Sequence, residues 1–136
     1  MMYARQRGLT LVELMVVVAV MAIVASVAYP LYTAQVEKSR RADAKVALQE
    51  IALAQERFYT INGEYTAGLS TLQIGTTSEQ GYYNLSINTG TDNQDFTATA
   101  AAVTTGAQAG DSDCAQFTID QLGTKAATDG GSTNCW

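Results

Sequence analysis

The stretch that decides the fold is residues 9–31, which read LTLVELMVVVAVMAIVASVAYPL and carry one charged side chain, Glu13. The apolar run from Leu9 to Tyr29 is 21 residues long, which corresponds to about 32 Å of α-helix. Because the hydrocarbon core of a bilayer is about 30 Å thick, the run predicts one transmembrane helix. Arg5 and Arg7 precede it, so the positive-inside rule predicts that they stay in the cytoplasm and that the rest of the chain lies across the membrane.

Residues 32–58 predict a helix of the amphipathic type. Charged residues of both signs occupy one side, and the apolar stripe on the other side consists of Ala47, Leu48, Ile51, Ala54 and Phe58. Since Pro30 is the one break, residues 9–58 predict a single long helix that is kinked near Pro30, where a backbone hydrogen bond is lost. The helix is expected to end at Asn62-Gly63, a natural left-handed C-cap.

The remainder of the chain predicts a small antiparallel sheet. Apolar and polar residues alternate around residues 83–87, 96–100 and 116–120, and turn-forming segments separate these three stretches. A meander with one apolar face on the helix stripe is the simplest packing. The expected fold class is therefore α+β, with a long kinked N-terminal helix packed on a three- to four-stranded antiparallel sheet.

Two cysteines, Cys114 and Cys135, stand near the end of the chain. The head has few large aliphatic side chains, so its core needs a covalent link, and the predicted orientation places it in an oxidising compartment. A structural disulfide is the favoured interpretation. A redox pair or a pair of metal ligands is the alternative, but the spacing is not CxxC and no further ligand is near.

Composition excludes several classes of site. The 136 residues include no histidine and carry a net charge of −5, which argues against zinc sites, histidine-assisted nucleophiles and bulk binding to nucleic acid. We therefore predict no enzymatic activity, no catalytic residues, no cofactor and no metal. Calcium at the acidic turns 92–95 and 111–113 is the weaker alternative, because neither turn has EF-hand spacing.

A local contact with nucleic acid stays open as a second alternative. The basic cluster consists of Lys38, Arg40, Arg41 and Lys45. Acidic residues are interleaved with these bases, which favours a solvated or inter-subunit face over a DNA contact.

Glu13 is a carboxylate in an apolar span, and it costs about 2.5–3.5 kcal/mol near the bilayer centre on insertion scales. One interpretation is that Glu13 is merely tolerated at the interface. The favoured one is that it meets a cation on assembly, because intramembrane ionisable groups usually have partners. Since residues 9–31 contain no Lys or Arg, the nearest candidate is a terminal amine exposed by cleavage just before Leu9.

Residues 8–14, GLTLVEL, resemble the processing site of type IV pilins and pseudopilins, whose usual form is Gly-Phe-Thr-Leu-Ile-Glu-Leu. The resemblance implies cleavage between Gly8 and Leu9 by prepilin peptidase and N-methylation of Leu9. It divides the chain into a leader (1–8), a transmembrane and assembly segment (9–31) and a periplasmic head (32–136). An ordinary signal peptide cut after Ala28 is the rival processing route.

The head also resembles pilins of the PilE-type branch, in Phe58-Tyr59, Glu64-Tyr65-Thr66, Gly81-Tyr82-Tyr83 and the ending Cys114…Cys135-Trp136. The resemblance implies a pilin fold whose two cysteines bound a C-terminal loop. The expected function is that of a major or minor pilus subunit, held in the inner membrane and then assembled into an extracellular fibre with Glu13 setting the register. Expected partners are other pilins, prepilin peptidase and the inner-membrane assembly machinery. A type II secretion pseudopilin and a secreted binding module are the alternatives.

Overall fold

The computed structural model describes residues 10–128 and 135–136. It contains one helix, α1 (Leu11–Asn62), and four strands, β1 (Tyr83–Thr89), β2 (Phe96–Ala102), β3 (Gln116–Asp120) and β4 (Lys125–Thr128). The chain divides into two compact units between Val36 and Glu37. The two units are described separately below.

The first unit is helical from Leu11 onwards. The Thr10 hydroxyl accepts a hydrogen bond from the Glu13 N–H at 3.2 Å, which is an N-cap bond and marks where the helix begins. Further along, Ser26 donates to the Ile23 carbonyl and Thr33 donates to the Pro30 carbonyl. These local bonds satisfy the hydroxyls within the helix itself. The helix continues through Pro30, and a kink there stays a prediction.

In the second unit, α1 ends at Asn62, as expected. Gly63 adopts a φ of 75°, and its N–H donates to the Tyr59 carbonyl at 2.8 Å, so a left-handed glycine closes the helix. The helix buries Asp43, Ala44, Ala47, Leu48, Ile51 and Gln55. Ala54 and Phe58 of the predicted stripe are half-buried. The buried face is therefore centred nearer the middle of α1 than the sequence pattern indicated.

The four strands form one antiparallel meander in the order β1-β2-β3-β4. Leu85 pairs with Ala100, and Ala100 pairs with Phe117, so one row of buried side chains crosses the sheet. Phe96 and Ile119 are buried on the same face, and the alternating polar residues lie on the other. The prediction of a long helix and a three- to four-stranded antiparallel sheet is confirmed, with four strands.

Cys114 and Cys135 form a disulfide with an S–S distance of 2.00 Å, and both are buried in the core. Cys114 lies two residues before β3, while Trp136 follows Cys135 and packs edge-on against Phe117 at 5.7 Å between ring centroids. The disulfide therefore fixes the end of the chain against the sheet, which completes the expected fold class with its C-terminal disulfide.

A buried ion pair fastens the loop between β2 and β3 to the helix. Two side-chain nitrogens of Arg41, Nε and Nη2, each donate to the Asp111 carboxylate at 2.7 Å. The Arg41 side chain is 12% exposed and the Asp111 side chain is 1% exposed. Gln108 donates to the Asp111 carboxylate at 2.6 Å and to the Glu37 carbonyl at 3.2 Å. Burial by itself raises the pKa of Asp111, but the bonds from Arg41, Cys114 and Gln108 outweigh it and hold the pKa below its ordinary value.

Removing the disulfide by a Cys114→Ala/Cys135→Ala substitution is expected to lower the free energy of unfolding by about 3 kcal/mol, the chain-entropy value for a loop of about 20 residues. The measurement is thermal or denaturant unfolding of the full chain in detergent micelles. A reducing agent is expected to destabilise the unmodified protein to a similar extent and to leave the double variant unchanged. Equal stability of the two proteins would contradict the prediction.

Replacing Asp111 by Asn is expected to destabilise the second unit by about 3 kcal/mol, because it leaves a buried guanidinium without its anion. The pH dependence is also expected to change. A carboxyl whose pKa is lowered by folding stabilises the protein above its unfolded pKa, near 3.9, and this contribution is lost as the pH falls through the folded pKa. The unmodified protein should thus lose stability below about pH 4 more steeply than Asp111→Asn. Matching acid profiles for the two proteins would overturn the assignment.

Candidate functional site

The predicted processing site at Gly8 and Leu9 lies outside the described residues. Glu13 lies within them, in the first turn of α1, with its backbone N–H bound to Thr10. Among residues 10–128 and 135–136 its carboxylate makes no hydrogen bond or ion pair. The sequence offers no Lys or Arg from Leu9 to Val36. Within the described residues, the base nearest to Glu13 along the chain is therefore Lys38.

The apolar surface of the first unit is uncovered. Every residue from Thr10 to Tyr32 is exposed, and the exposed fractions include 76% for Leu11 and 57% for Val16. By length and composition the helix can cross a membrane, and the apolar window of the helix that meets this test is not buried within the structure. An apolar surface of this extent needs lipid or other apolar side chains around it.

A cluster of positive charge forms on the second unit, around Lys45. The pKa of the Lys45 ammonium is lowered, first by burial and then by repulsion from Arg41, Lys38 and Lys125. Lys38, Arg41 and Lys45 lie on α1, but Lys125 is the first residue of β4. The fold therefore brings the single base of the C-terminal half within electrostatic range of Lys45 on the helix.

An aromatic ring borders this basic cluster. The Lys125 ammonium lies over the Trp136 ring, 5.1 Å from its centroid, a distance at which the ring attracts the cation. The indole N–H donates to the Ala126 carbonyl at 2.7 Å, so the ring has a fixed orientation. A flat aromatic surface beside ammonium groups is a common combination in nucleic-acid contacts.

The structure separates the four bases that the sequence grouped together. Arg41 is paired with Asp111, and Arg40 donates to the Ala107 carbonyl at 2.7 Å and lies over the Tyr82 ring at 5.1 Å. Both guanidinium groups therefore hold the loop before β3. The side chains of Lys38, Lys45 and Lys125 make no hydrogen bond or ion pair among the described residues, and we call these three, with Trp136, the lysine cluster.

Sequence reasoning missed Lys125 and Trp136 as members of this cluster. Lys125 is 80 positions from Lys45, and no local pattern connects them. The available signal was compositional, since Lys125 is the one base after Arg57.

The acidic turns bind backbone groups. Asp95 accepts from the Gly90 N–H at 2.6 Å, and Asp92 accepts from the Gln94 N–H at 3.3 Å. Asp111 belongs to the buried ion pair. Within the described part of the chain, no group of three potential metal ligands comes together. Asp92 and Asp95 are turn acids, as the sequence indicated, but Asp111 is buried and ion-paired, so the interpretation of Asp111 as an exposed turn acid was wrong.

Two family models match the chain. Residues 3–29 match the prokaryotic N-terminal methylation motif. Residues 30–118, well over half of the chain, match the family described as "Type IV minor pilin ComP, DNA uptake sequence receptor". The two matches adjoin each other and together cover the helix, β1, β2 and the start of β3.

The chain is also similar to a type IV major pilin and to a fimbrial protein. The type IV major pilin protein PilA of Myxococcus xanthus is 35% identical over 77 residues, which is 57% of this chain and 34% of that protein. A fimbrial protein of Neisseria meningitidis is 31% identical over 74 residues, 54% of this chain and 44% of that protein. The matched stretch thus spans less than half of the length of these relatives.

Solved structures show the same fold. A type IV pilin from Shewanella oneidensis superposes with a TM-score of 0.55 at 27% identity, over 74% of this chain and 97% of that one. The non-core minor pilin PilV of Neisseria meningitidis gives a TM-score of 0.57 at 21% identity, over 73% and 93% of the two chains, and shows the fold alone. With a family model matched along most of its helix and sheet, and with this fold, the chain belongs to the type IV minor pilin family.

Proposed function

We propose that this chain is a structural subunit of a type IV pilus. The observation that carries the proposal is the fully exposed apolar helix surface from Thr10 to Tyr32, joined to a pilin head. Residues 1–8 are the leader, residues 9–31 are the membrane and assembly segment, and residues 32–136 are the periplasmic head. Pilin families are structural, not enzymatic, and the matches favour neither a type II secretion pseudopilin nor a secreted binding module.

The apolar segment serves in two environments. In the inner membrane, where the bilayer solvates it, a helix satisfies its own backbone hydrogen bonds. When the subunit leaves the membrane, the same surface is covered by the helices of neighbouring pilins. Prepilin peptidase and the inner-membrane assembly machinery are the partners that this route requires, and cleavage after Gly8 leaves a methylated amine on Leu9.

Glu13 selects the register of that packing. A carboxylate buried without a cation is costly, and pairing need not add net stability but does penalise every stagger that leaves the charge alone. The Leu9 amine of the same or a neighbouring subunit is the cation that the sequence supplies. Because Glu13 is four residues after Leu9, the two groups are about one helical turn apart along the chain.

A Glu13→Val substitution is expected to leave leader cleavage largely intact and to reduce incorporation into fibres at least tenfold, because the register is no longer selected. Immunoblots of sheared fibres measure incorporation, and immunoblots of membranes measure the amount of subunit available for assembly. Intact mass is the control: the membrane-held variant should have lost residues 1–8 and gained one methyl group. Glu13→Gln, which keeps size and polarity, should show the same defect. Normal fibre yield from Glu13→Val would contradict the role.

A second function, contact with DNA, is favoured by one structural observation, the lysine cluster. The pKa of Lys45 is lowered first by burial and then by repulsion from Arg41, Lys38 and Lys125, and phosphate groups nearby would relieve that repulsion. Trp136 adds an aromatic face. The matched family is described as a DNA uptake sequence receptor. We therefore propose that the fibre binds DNA through this cluster, although the chain as a whole is acidic.

A Lys45→Gln/Lys125→Gln variant is expected to weaken duplex DNA binding about tenfold or more at low salt. The slope of log K against log salt should fall by about two, since each phosphate contact contributes about one. Fluorescence anisotropy with the full chain in micelles measures both quantities. Arg57→Gln is the matched control, because it removes an exposed positive charge outside the cluster. Equal losses from the double variant and from the control would rule out the cluster as the binding site.

A further inference from the structure

All three lysines of the chain, Lys38, Lys45 and Lys125, belong to the lysine cluster, and the other basic residues of the sequence are arginines. The two residue types recognise DNA differently. A lysine ammonium is a compact charge that meets phosphate oxygens from any direction, whereas a guanidinium is a planar fork suited to two acceptors on one nucleobase. Phosphate contacts hold a protein on DNA, and contacts with nucleobase edges read the sequence. The composition of the cluster therefore favours phosphate contacts.

Arg41 lies between two of these lysines on one side of α1 but is largely buried. Lys38, Arg41 and Lys45 follow one another at spacings of three and four residues, so they share one side of the helix. The Nε and Nη2 atoms of Arg41 both donate to the Asp111 carboxylate at 2.7 Å, and the Arg41 side chain is 12% exposed. Its fork is already filled by a carboxylate, whereas the ammonium groups of Lys38 and Lys45 are available to a ligand.

Arg40, the neighbouring guanidinium, is also held by the protein. Its Nη1 atom donates to the Ala107 carbonyl at 2.7 Å, and its guanidinium carbon lies 5.1 Å from the centroid of the Tyr82 ring. Ala107 and Asp111 both belong to the loop between β2 and β3. That loop therefore orients both arginines, although the sequence places them in one basic run with the lysines.

The part of α1 that carries two of the lysines is covered by the rest of the head. Ala44, next to Lys45, is fully buried, and Gln108 of the loop between β2 and β3 donates to the Glu37 carbonyl at 3.2 Å. An α-helix with its side chains is about 10–12 Å across, which already fills a major groove about 12 Å wide. A helix whose flank is packed under a loop does not fit into that groove, so its lysines meet DNA at the outer surface of the duplex.

Lys125 begins one strand of a hairpin, and two-stranded ribbons can also enter a major groove. Two features of this hairpin oppose such an entry. The Lys125 ammonium lies over the Trp136 ring, 5.1 Å from its centroid, and is thus held against the head. The turn begins at Asp120, whose carboxylate accepts from the N–H groups of Leu122 and Thr124 at 2.9 and 2.8 Å. The phosphates that line a groove repel this fixed negative charge.

We propose that the lysine cluster binds the phosphate backbone of duplex DNA and is indifferent to the base sequence. This inference rests on the DNA contact proposed above and specifies its ligand, duplex DNA of any sequence. The matched family is described as a DNA uptake sequence receptor, a description that names a particular sequence. In this chain the Arg41–Asp111 pair withdraws from the surface the type of side chain best suited to reading one.

The first test compares duplexes of one length and different sequence. Fluorescence anisotropy with the full chain in micelles is measured on an A·T-rich, a G·C-rich and a mixed duplex. We expect dissociation constants that agree within about threefold, because a single specific base pair is worth about tenfold or more in affinity. The slope of log K against log salt is expected near −3 for every duplex, since each of three ammonium groups contributes about 0.9.

A selection experiment covers the sequences that such a panel misses. A randomised duplex library is equilibrated with the full chain in micelles, and the bound fraction is amplified and sequenced over several rounds. We expect no enriched motif. Lys45→Gln/Lys125→Gln is expected to retain about tenfold less of the library at low salt, whereas Arg57→Gln, the matched control outside the cluster, retains nearly as much as the unmodified chain. Unchanged melting temperatures verify that the variants are folded.

The possible outcomes are distinguishable. An enriched motif that the chain binds more than about tenfold tighter than random duplexes would overturn the indifference to sequence and leave the DNA contact intact. Equal binding of all duplexes that the two lysine substitutions do not weaken would overturn the role of the cluster. Failure of the unmodified chain to bind any duplex would refute the proposed DNA contact itself, and this inference with it.

Discussion

The constraint on which this molecule depends is the need to cover the apolar surface of the helix in its first unit. From Thr10 to Tyr32 the chain buries none of its side chains, so the segment has no stable state in water as a separate molecule. Two surroundings satisfy it, a bilayer and a bundle of similar helices. Both have the same apolar character, so the function we propose lets one sequence be stored in the first and used in the second. In that proposal, a single carboxylate supplies the specificity that apolar contact lacks.

The head is stabilised in a different way, because many of the buried side chains of its small sheet are short. Its inward rows include Ala98 and Ala100 beside the larger Phe96 and Phe117, so apolar burial per strand is modest. Polar and covalent links compensate for this. Gln55 both donates to and accepts from Thr66 and ties the segment after the helix to it. The Arg41–Asp111 pair ties the loop before β3 to the same helix, and the disulfide secures the chain's end.

Much of this architecture is readable from local sequence, for physical reasons that particular residues illustrate. The end of the helix at Asn62-Gly63 was predictable because glycine alone closes a helix in the left-handed region without strain. The strands were predictable from the alternation of apolar and polar residues at Tyr83-Leu85 and Phe117-Ile119. Long-range polar contacts were not readable. Arg41 looked like part of a solvated basic run, and Asp111 like an exposed turn acid, because a partner 70 positions away leaves no periodic signal. The electrostatic effect of Lys125 on Lys45 was not readable for the same reason, because it depends on the order of the strands in the sheet.

The Lys125–Trp136 contact has a practical consequence. Trp136 is the single tryptophan of the chain, and it touches a cation on one side and the core residue Phe117 on another. Indole emission responds to nearby charge and to solvent access. The protein consequently carries its own optical probe, one that distinguishes displacement of an ammonium at the surface from loosening of the aromatic packing beneath it.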